Sequence, residues 1–258
     1  MIDFNLSPQY TLSIRVDADG LAFSVSAPRA TGKDTPMCES LPVDESLPLA
    51  ANLRHAFEEK EWLARPYRQV HVLVATHRFT LMPLELFEDE QAEAVFHFNH
   101  PRRPHEEVGY DILHSNNLVV LFGMDRSVAD FLRDRHPAAQ FHAQVSPLLD
   151  LFAAKSRAGR VRRMYVHVRR EYADVFCYDR GRLLLCNSYA CKQDGNRLYY
   201  LLYAWNALGF DQERDELCLC GQVGERDAWV GELKRFVRRV SVMNPVTSMD
   251  FEAINLCE

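Results

Sequence analysis

Histidine and carboxylate side chains are concentrated in one segment whose composition resembles that of a metal site. The chain carries His97, His100 and His105, followed directly by Glu106 and Glu107. Imidazole nitrogens and carboxylate oxygens are ligands that Zn²⁺ accepts. Prolines and arginines interrupt the segment, however, so neither a helix nor a strand would fix the spacing of these groups. We therefore expect a solvated loop here and no metal site.

The densest positive charge lies after the middle of the chain. It consists of Arg157, Arg160, Arg162, Arg163, Arg169 and Arg170. Guanidinium groups bind phosphates and carboxylates through charge-assisted hydrogen bonds, so this cluster could hold a phosphate or an acidic partner. The alternative is a basic linker whose charge is balanced by the acidic run at residues 211–216. The sequence leaves both interpretations open.

Seven cysteines are present, and they lack the spacing of a metal or redox motif. Cys177, Cys186, Cys218 and Cys220 fall inside predicted strands, where a thiol behaves as a small hydrophobic group. No Cys-x-x-Cys occurs. We expect these cysteines to be reduced and buried.

Composition excludes several classes of protein. A net charge of −6 over 258 residues argues against a nucleic-acid binder, which needs excess Lys and Arg to displace counterions. No apolar run approaches the roughly 18 residues that cross a bilayer, and residues 1–12 lack the pattern of a signal peptide. We therefore expect a cytoplasmic protein without membrane insertion.

The elements that position the arginines form a recognisable order. Residues 164–168, 175–178 and 183–189 predict three strands separated by polar turns. Residues 194–209 predict a helix, because leucines and Trp205 recur at spacings of three and four. A strand at residues 216–220 and a helix at 227–240 follow.

The first part of the chain has a similar order. Two alternating runs at residues 10–16 and 21–27 flank an Asp-Gly turn, which indicates a hairpin. Residues 29–44 predict a loop or a poorly paired edge strand, and residues 47–64 a helix. Residues 70–76 are apolar on both faces, as in a central parallel strand.

A different region separates these two blocks. We predict strands at residues 79–82, 111–114, 118–122 and 141–145. Helices are predicted at residues 84–96, at 125–135 with Asp125 as the cap, and from 147.

This order, with the turn at residues 17–20, the run at 79–84, the Phe98-Asn99 pair and the run at 116–118, resembles an uncharacterised bacterial family, a domain of unknown function with an actin-like ATPase fold. It is distantly similar to the cytoplasmic assembly proteins of type IV pili. The resemblance implies an α/β, duplicated ribonuclease H-like fold with two halves around a cleft. We expect halves at residues 1–158 and 159–258, with a small additional subdomain at about 79–154.

Active members of this superfamily open each half with Asp-Ile-Gly and hydroxyl residues, which organise Mg²⁺ and phosphate. The resemblance assigns Arg15 to the first Asp position and Asp17 to the Gly position, with Asp19 and Gly20 completing the turn. In the second half, His167 takes the Asp position and Arg169 the Gly position, beside Arg170. A side chain at the glycine position blocks close approach of the backbone to phosphate, and Arg15 or His167 cannot bind Mg²⁺. Gly221 is retained from the glycine pair of the adenosine motif.

We therefore expect a non-hydrolysing, degenerate member that has no cofactor and acts as a protein-binding or assembly module. The alternative is an ATP-binding ATPase or small-molecule kinase with an altered phosphate grip, in which Asp17, Asp19 or Asp174 binds Mg²⁺. A third interpretation is a regulator that binds a nucleotide or other phosphate through the arginines without hydrolysing it. The sequence names neither a protein partner nor an oligomeric state.

Overall fold

The computed structural model describes residues 2–28, 36–243 and 248–256. The chain divides into two compact units, Met1–Ser146 and Pro147–Glu258. Each unit contains one five-stranded sheet, and the first unit also contains a three-stranded sheet. We describe each unit separately.

In the described part of the first unit, the strands and α-helices number eleven. They are β1 (Thr11–Asp17), β2 (Gly20–Ser26), β3 (Met37–Pro42), α1 (Leu49–Glu59), β4 (Gln69–Ala75), β5 (Phe79–Pro83), α2 (Ala92–Asn99), β6 (Glu106–Leu113), β7 (Leu118–Asp125), α3 (Arg126–Arg135) and β8 (Gln140–Ala143). Helix α4 (Val145–Arg157) leads into the second unit. That unit continues with β9 (Arg163–Val168), β10 (Tyr172–Asp179), β11 (Arg182–Ala190), α5 (Asp194–Ala207), β12 (Glu216–Gly221), α6 (Ala228–Leu233), β13 (Arg239–Val242) and α7 (Met249–Leu256).

The two five-stranded sheets have the same topology. Their strand orders are β3-β2-β1-β4-β8 and β11-β10-β9-β12-β13. In each sheet the first three strands of the chain form an antiparallel meander, and the next two are added in parallel. The predicted duplication is therefore confirmed. β4 lies between two parallel neighbours, as its apolar sequence indicates.

Each sheet buries an apolar face against helices. Leu12, Ile14 and Val72 of the first sheet pack with Leu53 of α1 and Leu132 of α3. In the second sheet, the strand residues Met164, Val166, Val175 and Leu219 share a core with Leu201, Trp205, Trp229 and Val230 of α5 and α6. Side chains alternate along a strand, so the intervening residues of β1, including Ser13, Arg15 and Asp17, lie on its other face.

The three-stranded sheet has the order β5-β7-β6 and is antiparallel. Phe96 of α2 packs with Val119 and Leu121 of β7 to form its core. The subdomain expected at about 79–154 also included β8 and α3. β8 pairs with β4 in the five-stranded sheet, and α3 packs on the core of that sheet.

Several predicted helices were too long. α1 ends at Glu59, and a separate 3-10 turn covers Glu61–Ala64. The segment at 84–96 contains 3-10 turns at Leu84–Leu86 and Asp89–Gln91 before α2 begins. α6 ends at Leu233, and residues 239–242 form a strand beside β12. A short apolar run fits the period of a helix and that of a strand equally well, so the presence of a neighbouring strand determines which of the two forms.

The edge strand predicted within residues 29–44 is β3, which pairs with β2 on one side. Residues 29–35 of that prediction lie outside the described part of the chain.

Candidate functional site

The first predicted phosphate corner is the hairpin between β1 and β2. Arg15 pairs with Ala22 in the ladder, and Asp17 pairs with Gly20 at its end. The N–H of Asp19 donates to Oδ1 of Asp17 at 3.4 Å. The structure thus brings Arg15, Asp17, Asp19 and Gly20 together, with Asp17 buried and Arg15 half-buried.

The second predicted corner is the hairpin between β9 and β10. It turns through Arg169 and Arg170, and the N–H of Arg169 donates to the carbonyl of Tyr172 at 2.8 Å. His167 and Asp174 are opposite each other in the antiparallel ladder, so their side chains lie on the same face. His167, Arg169 and Asp174 are all buried, whereas Arg170 is exposed.

A buried ion pair fills this second corner. Arg169 donates from Nε to Oδ2 of Asp174 at 3.0 Å and from Nη2 to Oδ1 at 3.1 Å. Nδ1 of His167 lies 3.5 Å from Oδ2 of the same carboxylate. The guanidinium also lies 5.0 Å from the centre of the Tyr172 ring. Burial alone would raise the pKa of Asp174, but Arg169 and then His167 hold it well below its ordinary value.

The ion pair determines what Asp174 can do chemically. Both of its oxygens accept hydrogen bonds from one guanidinium, and its side chain is 1% exposed. A carboxylate that binds Mg²⁺ must present an oxygen to the ion. In this arrangement the carboxylate instead neutralises the cation at position 169.

Gly221 ends β12 where this strand runs beside Val168. Its φ is +89°, and a Cβ at this position would lie 2.2 Å from the carbonyl oxygen of Val168. The same oxygen accepts a hydrogen bond from the N–H of Gln222 at 2.7 Å. The close approach between two strands therefore requires glycine here, independently of any nucleotide.

The arginine cluster is largely paired within the second unit. Arg163 donates to Glu216 at 2.7 Å, and Arg162 lies 3.8 Å from Asp179. The backbone N–H of Arg162 also donates to Asp215 at 3.1 Å. Two of these acceptors belong to the acidic run at residues 211–216, which supports the interpretation of a basic segment balanced within the chain.

His97 in α2, His100, and Glu106 and Glu107 at the start of β6 have separate partners. His97 contacts the carbonyl of His100, and His100 contacts that of Phe79, each at 3.1 Å. Glu106 receives two hydrogen bonds from Arg78, and Glu107 receives two from Arg133. Among the described residues, no group of three or more His, Cys, Asp or Glu has the arrangement of a metal site.

Burial raises the pKa of the cysteines that the sequence singled out. The pKa of Cys177 rises to about 12, and those of Cys186, Cys218 and Cys220 are also raised, in each case chiefly by desolvation. A thiol that stays protonated is a poor nucleophile and metal ligand. Cys177 and Cys220 are fully buried, whereas Cys186 and Cys218 are only half-buried.

Sequence reasoning missed a polar cluster in the first unit. Asp111 of β6 accepts hydrogen bonds from Nδ1 of His142 at 2.8 Å, the N–H of Ala143 at 2.8 Å and Oγ of Ser146 at 2.6 Å. Nδ1 of His71 lies 3.4 Å from Nε2 of His142. Nδ1 of His142 is the donor in its bond to Asp111, because a carboxylate oxygen accepts, and Nε2 of the same ring faces His71.

Asp111, His71 and His142 come from separate strands, so no local spacing reveals the cluster. The available signal was chemical: His71 interrupts the apolar run of β4, and Asp111 lies in the predicted strand at 111–114. Each is buried and therefore requires a polar partner.

No helix in the part of the chain that the structure describes is long and apolar enough to cross a membrane.

Comparisons with known proteins identify the family and the fold. Residues 2–240 match the model of the family described as a protein of unknown function, DUF3822. A protein of Bacteroides thetaiotaomicron with an actin-like ATPase fold and unknown function shares 46% identity over 100% of both chains, with a TM-score of 0.93. Comparison with curated proteins gave no match.

Two more distant structures share the fold alone. The PilM–PilN type IV pilus biogenesis complex matches at 13% identity and a TM-score of 0.63, over 94% of this chain and 89% of that one. The ethanolamine utilization protein EutJ of Carboxydothermus hydrogenoformans matches at 9% identity and 0.53, over 97% and 90%. This chain belongs to the DUF3822 family and has an actin-like ATPase fold.

Proposed function

We propose that this DUF3822 protein is a non-hydrolysing member of the actin-like ATPase fold that acts in the cytoplasm as a protein-binding or assembly module. The observation that carries the proposal is the buried pair of Arg169 and Asp174. By the family resemblance, position 169 is where active members have the glycine that lets backbone N–H groups approach phosphate.

The physical argument concerns space and charge. A phosphate-binding turn presents several backbone N–H groups to one anion, which requires small residues. At the second corner, a guanidinium fills this position and the N–H of Arg169 is bonded to Tyr172. The position of the metal-organising Asp is held by His167, which is neither acidic nor exposed. We infer that this corner does not bind Mg²⁺ and ATP.

If the scaffold does not hydrolyse ATP, binding to another protein is the function that we assign to it. The PilM–PilN structure is a complex of two proteins, and the PilM–PilN likeness extends over most of this chain. Because one fold supports many functions, binding experiments test this part of the proposal.

The enzymatic alternative draws on the first corner, where Asp17 and Asp19 lie in one turn. In that case an ATPase or small-molecule kinase would bind Mg²⁺ there. The regulatory alternative draws on Arg170, which is exposed at the turn next to Arg169.

Thermal unfolding with nucleotides separates the three. A ligand at about 100 times its Kd stabilises the folded state by about 2.7 kcal/mol, which is a clear shift in Tm. We expect no shift with ATP or ADP, with or without Mg²⁺. A shift that requires Mg²⁺ and is lost in Asp17→Asn would establish the enzyme. A shift without Mg²⁺ that is lost in Arg170→Ala, but not in the surface control Arg102→Ala, would establish the regulator.

A further inference from the structure

Strand β11 is an unusual sheet edge. Among the described strands, β11 has one neighbour, β10, and forms one end of the five-stranded sheet of the second unit. It is nine residues long, and its one charged residue is Arg182 at the start. A long apolar edge offers open backbone groups to any extended segment, and proteins normally protect such edges.

The other edges of the described sheets carry the usual protection. β8 and β13 are only four residues long. The remaining edges contain proline or acidic residues: Glu39 and Pro42 in β3, Pro83 in β5, and Glu106, Glu107 and Asp111 in β6. β11 therefore differs from every other sheet edge in the described structure.

One backbone group on β11 has a side chain as its acceptor. The N–H of Ser188 donates to Oδ1 of the neighbouring Asn187 at 2.9 Å. Asn187 is exposed, so the carbonyl of an incoming strand could take over this bond. Recognition by an added strand rests on such main-chain bonds.

A tyrosine platform adjoins this edge. We use this term for Tyr189 of β11 and Tyr199, Tyr200 and Tyr203 of α5. Tyr189 stacks on Tyr200 with ring centres 4.9 Å apart, and Tyr199 stacks on Tyr203 at 6.1 Å. Tyr199 and Tyr200 meet edge to face at 5.4 Å, which joins the two pairs.

The outer half of the platform faces solvent. Tyr199 is 63% exposed and Tyr203 is 60% exposed. Exposed, mutually supported tyrosines supply contact area at low cost in side-chain entropy, and they are enriched where proteins bind other proteins.

Charge at one end of β11 favours one kind of occupant. Arg182 has no carboxylate within 4 Å among the described residues, whereas Lys192, two residues beyond β11, pairs with Glu171 at 3.5 Å. A second copy paired parallel through β11 would bring the two Arg182 side chains together, and an antiparallel copy would place Arg182 beside a lysine that already uses the carboxylate of Glu171. Like charges across strands are destabilising, so the edge favours a segment that brings an acidic residue to Arg182.

We infer that β11 and the tyrosine platform capture an extended, apolar segment of another protein that carries an acidic residue at the end that meets Arg182. The segment adds to β11 as a further strand, and its side chains on one face lie along the tyrosines. This inference rests on the proposed binding function and names the class of partner.

The test uses a synthetic peptide of alternating valine and threonine with a glutamate pair at each end. Hydrogen–deuterium exchange locates its binding site, and fluorescence anisotropy gives its affinity. We expect slower exchange of the amides at residues 182–190. A peptide with N-methylated valines should not bind, because it cannot pair with a strand.

Variants then separate edge, platform and charge. Tyr203→Ala should weaken binding about 3- to 10-fold, since aromatic contacts are of that strength. Arg182→Glu should weaken it about 2- to 5-fold, as for an exposed ion pair, and should favour a lysine-flanked peptide. Phe98→Ala is the matched control, because it removes an aromatic ring that is 90% exposed in the first unit.

Three results would overturn the inference: no slowing of exchange at residues 182–190, equal binding of the N-methylated peptide, or self-association of the chain that Arg182→Glu alters. These results are independent of the nucleotide experiment. A Mg²⁺-dependent shift in Tm would refute the non-hydrolysing function and leave capture by β11 standing.

Discussion

Arg169 binds Asp174 through two parallel hydrogen bonds at 3.0 and 3.1 Å, in a site where both side chains are at most 5% exposed. A buried ion pair gives little net stability relative to apolar residues, but removal of one partner leaves the other charge buried without a counter-charge. We expect Arg169→Met to lower the free energy of unfolding by about 3–5 kcal/mol, measured by urea titration.

The matched control is Arg163→Met, which breaks the half-buried pair with Glu216. Its cost should be about 1 kcal/mol or less, because solvent screens that pair. Equal losses in the free energy of unfolding of the two variants would mean that Asp174 is not left as an uncompensated buried charge. The double variant Arg169→Met with Asp174→Leu should recover most of the loss.

The same pair predicts a dependence of stability on pH. The pKa of Asp174 is lowered in the folded protein from its ordinary value of 3.8, so the unfolded state takes up this proton first. The contribution of Asp174 is therefore fully present above about pH 4 and is lost as the pH falls below it. Urea unfolding from pH 6 to 2.5 should show this loss. The loss should be absent from Asp174→Asn, and a parallel decline in both proteins would contradict the assignment.

Much of the fold follows from local patterns. The apolar run of β4 predicted a central parallel strand because both faces of such a strand are covered. Asp125 was predicted to cap α3, and its Oδ1 accepts the N–H of Val128 at 3.1 Å. These features depend on residues close together in the sequence, where period and capping chemistry are decisive.

The contents of the corners could be predicted only in part. The residue types at positions 15, 17, 167 and 169 showed that the superfamily pattern is altered. They did not show that Arg169 forms a buried ion pair with Asp174. The polar residues of the Asp111 cluster signal buried partners, but their pairing could not be predicted, because three strands and the start of α4 assemble it. Similarly, the helical period predicted at residues 227–240 holds only to Leu233, and residues 239–242 pair with β12 as β13.

Gly221 and Gly231 offer a matched pair of substitutions. At Gly221 a Cβ would collide with the backbone of Val168, and φ is +89°. Gly221→Ala should therefore cost about 3 kcal/mol, from the strain of a positive φ and the displaced strand. A Cβ at Gly231, within α6, meets nothing within 4 Å. Gly231→Ala should be neutral or stabilise by up to about 1 kcal/mol. Thermal unfolding of both measures the difference, and equal Tm values would show that the β9–β12 approach does not need glycine.

His136 gives a second dependence on pH. Burial lowers its pKa below the ordinary value of 6.5, although Nε2 donates to the carbonyl of Leu63 at 2.8 Å, which acts in the opposite direction. The unfolded chain therefore binds this proton more readily. The contribution of the neutral ring is fully present above about pH 6.5 and decreases as the pH falls. His136→Gln should flatten the stability profile between pH 7.5 and 5. An unchanged slope in His136→Gln would contradict this assignment.

Asp111 joins β6 of the three-stranded sheet to β8 of the five-stranded sheet in the first unit. Its carboxylate accepts from a buried backbone N–H, a buried serine hydroxyl and His142. Asp111→Ala leaves these donors without their acceptor, and a buried unsatisfied donor costs about 1–3 kcal/mol. We expect a loss of about 3 kcal/mol in the free energy of unfolding, because such terms do not add fully. Hydrogen–deuterium exchange should become faster at residues 106–113 and 140–146 and stay unchanged in β9 and β12.

Asp130→Ala is the control, since Asp130 is 62% exposed and its pair with Arg133 is long at 3.6 Å. Faster exchange throughout both units would instead show that Asp111 stabilises the chain as a whole and does not act as a local joint between the two sheets.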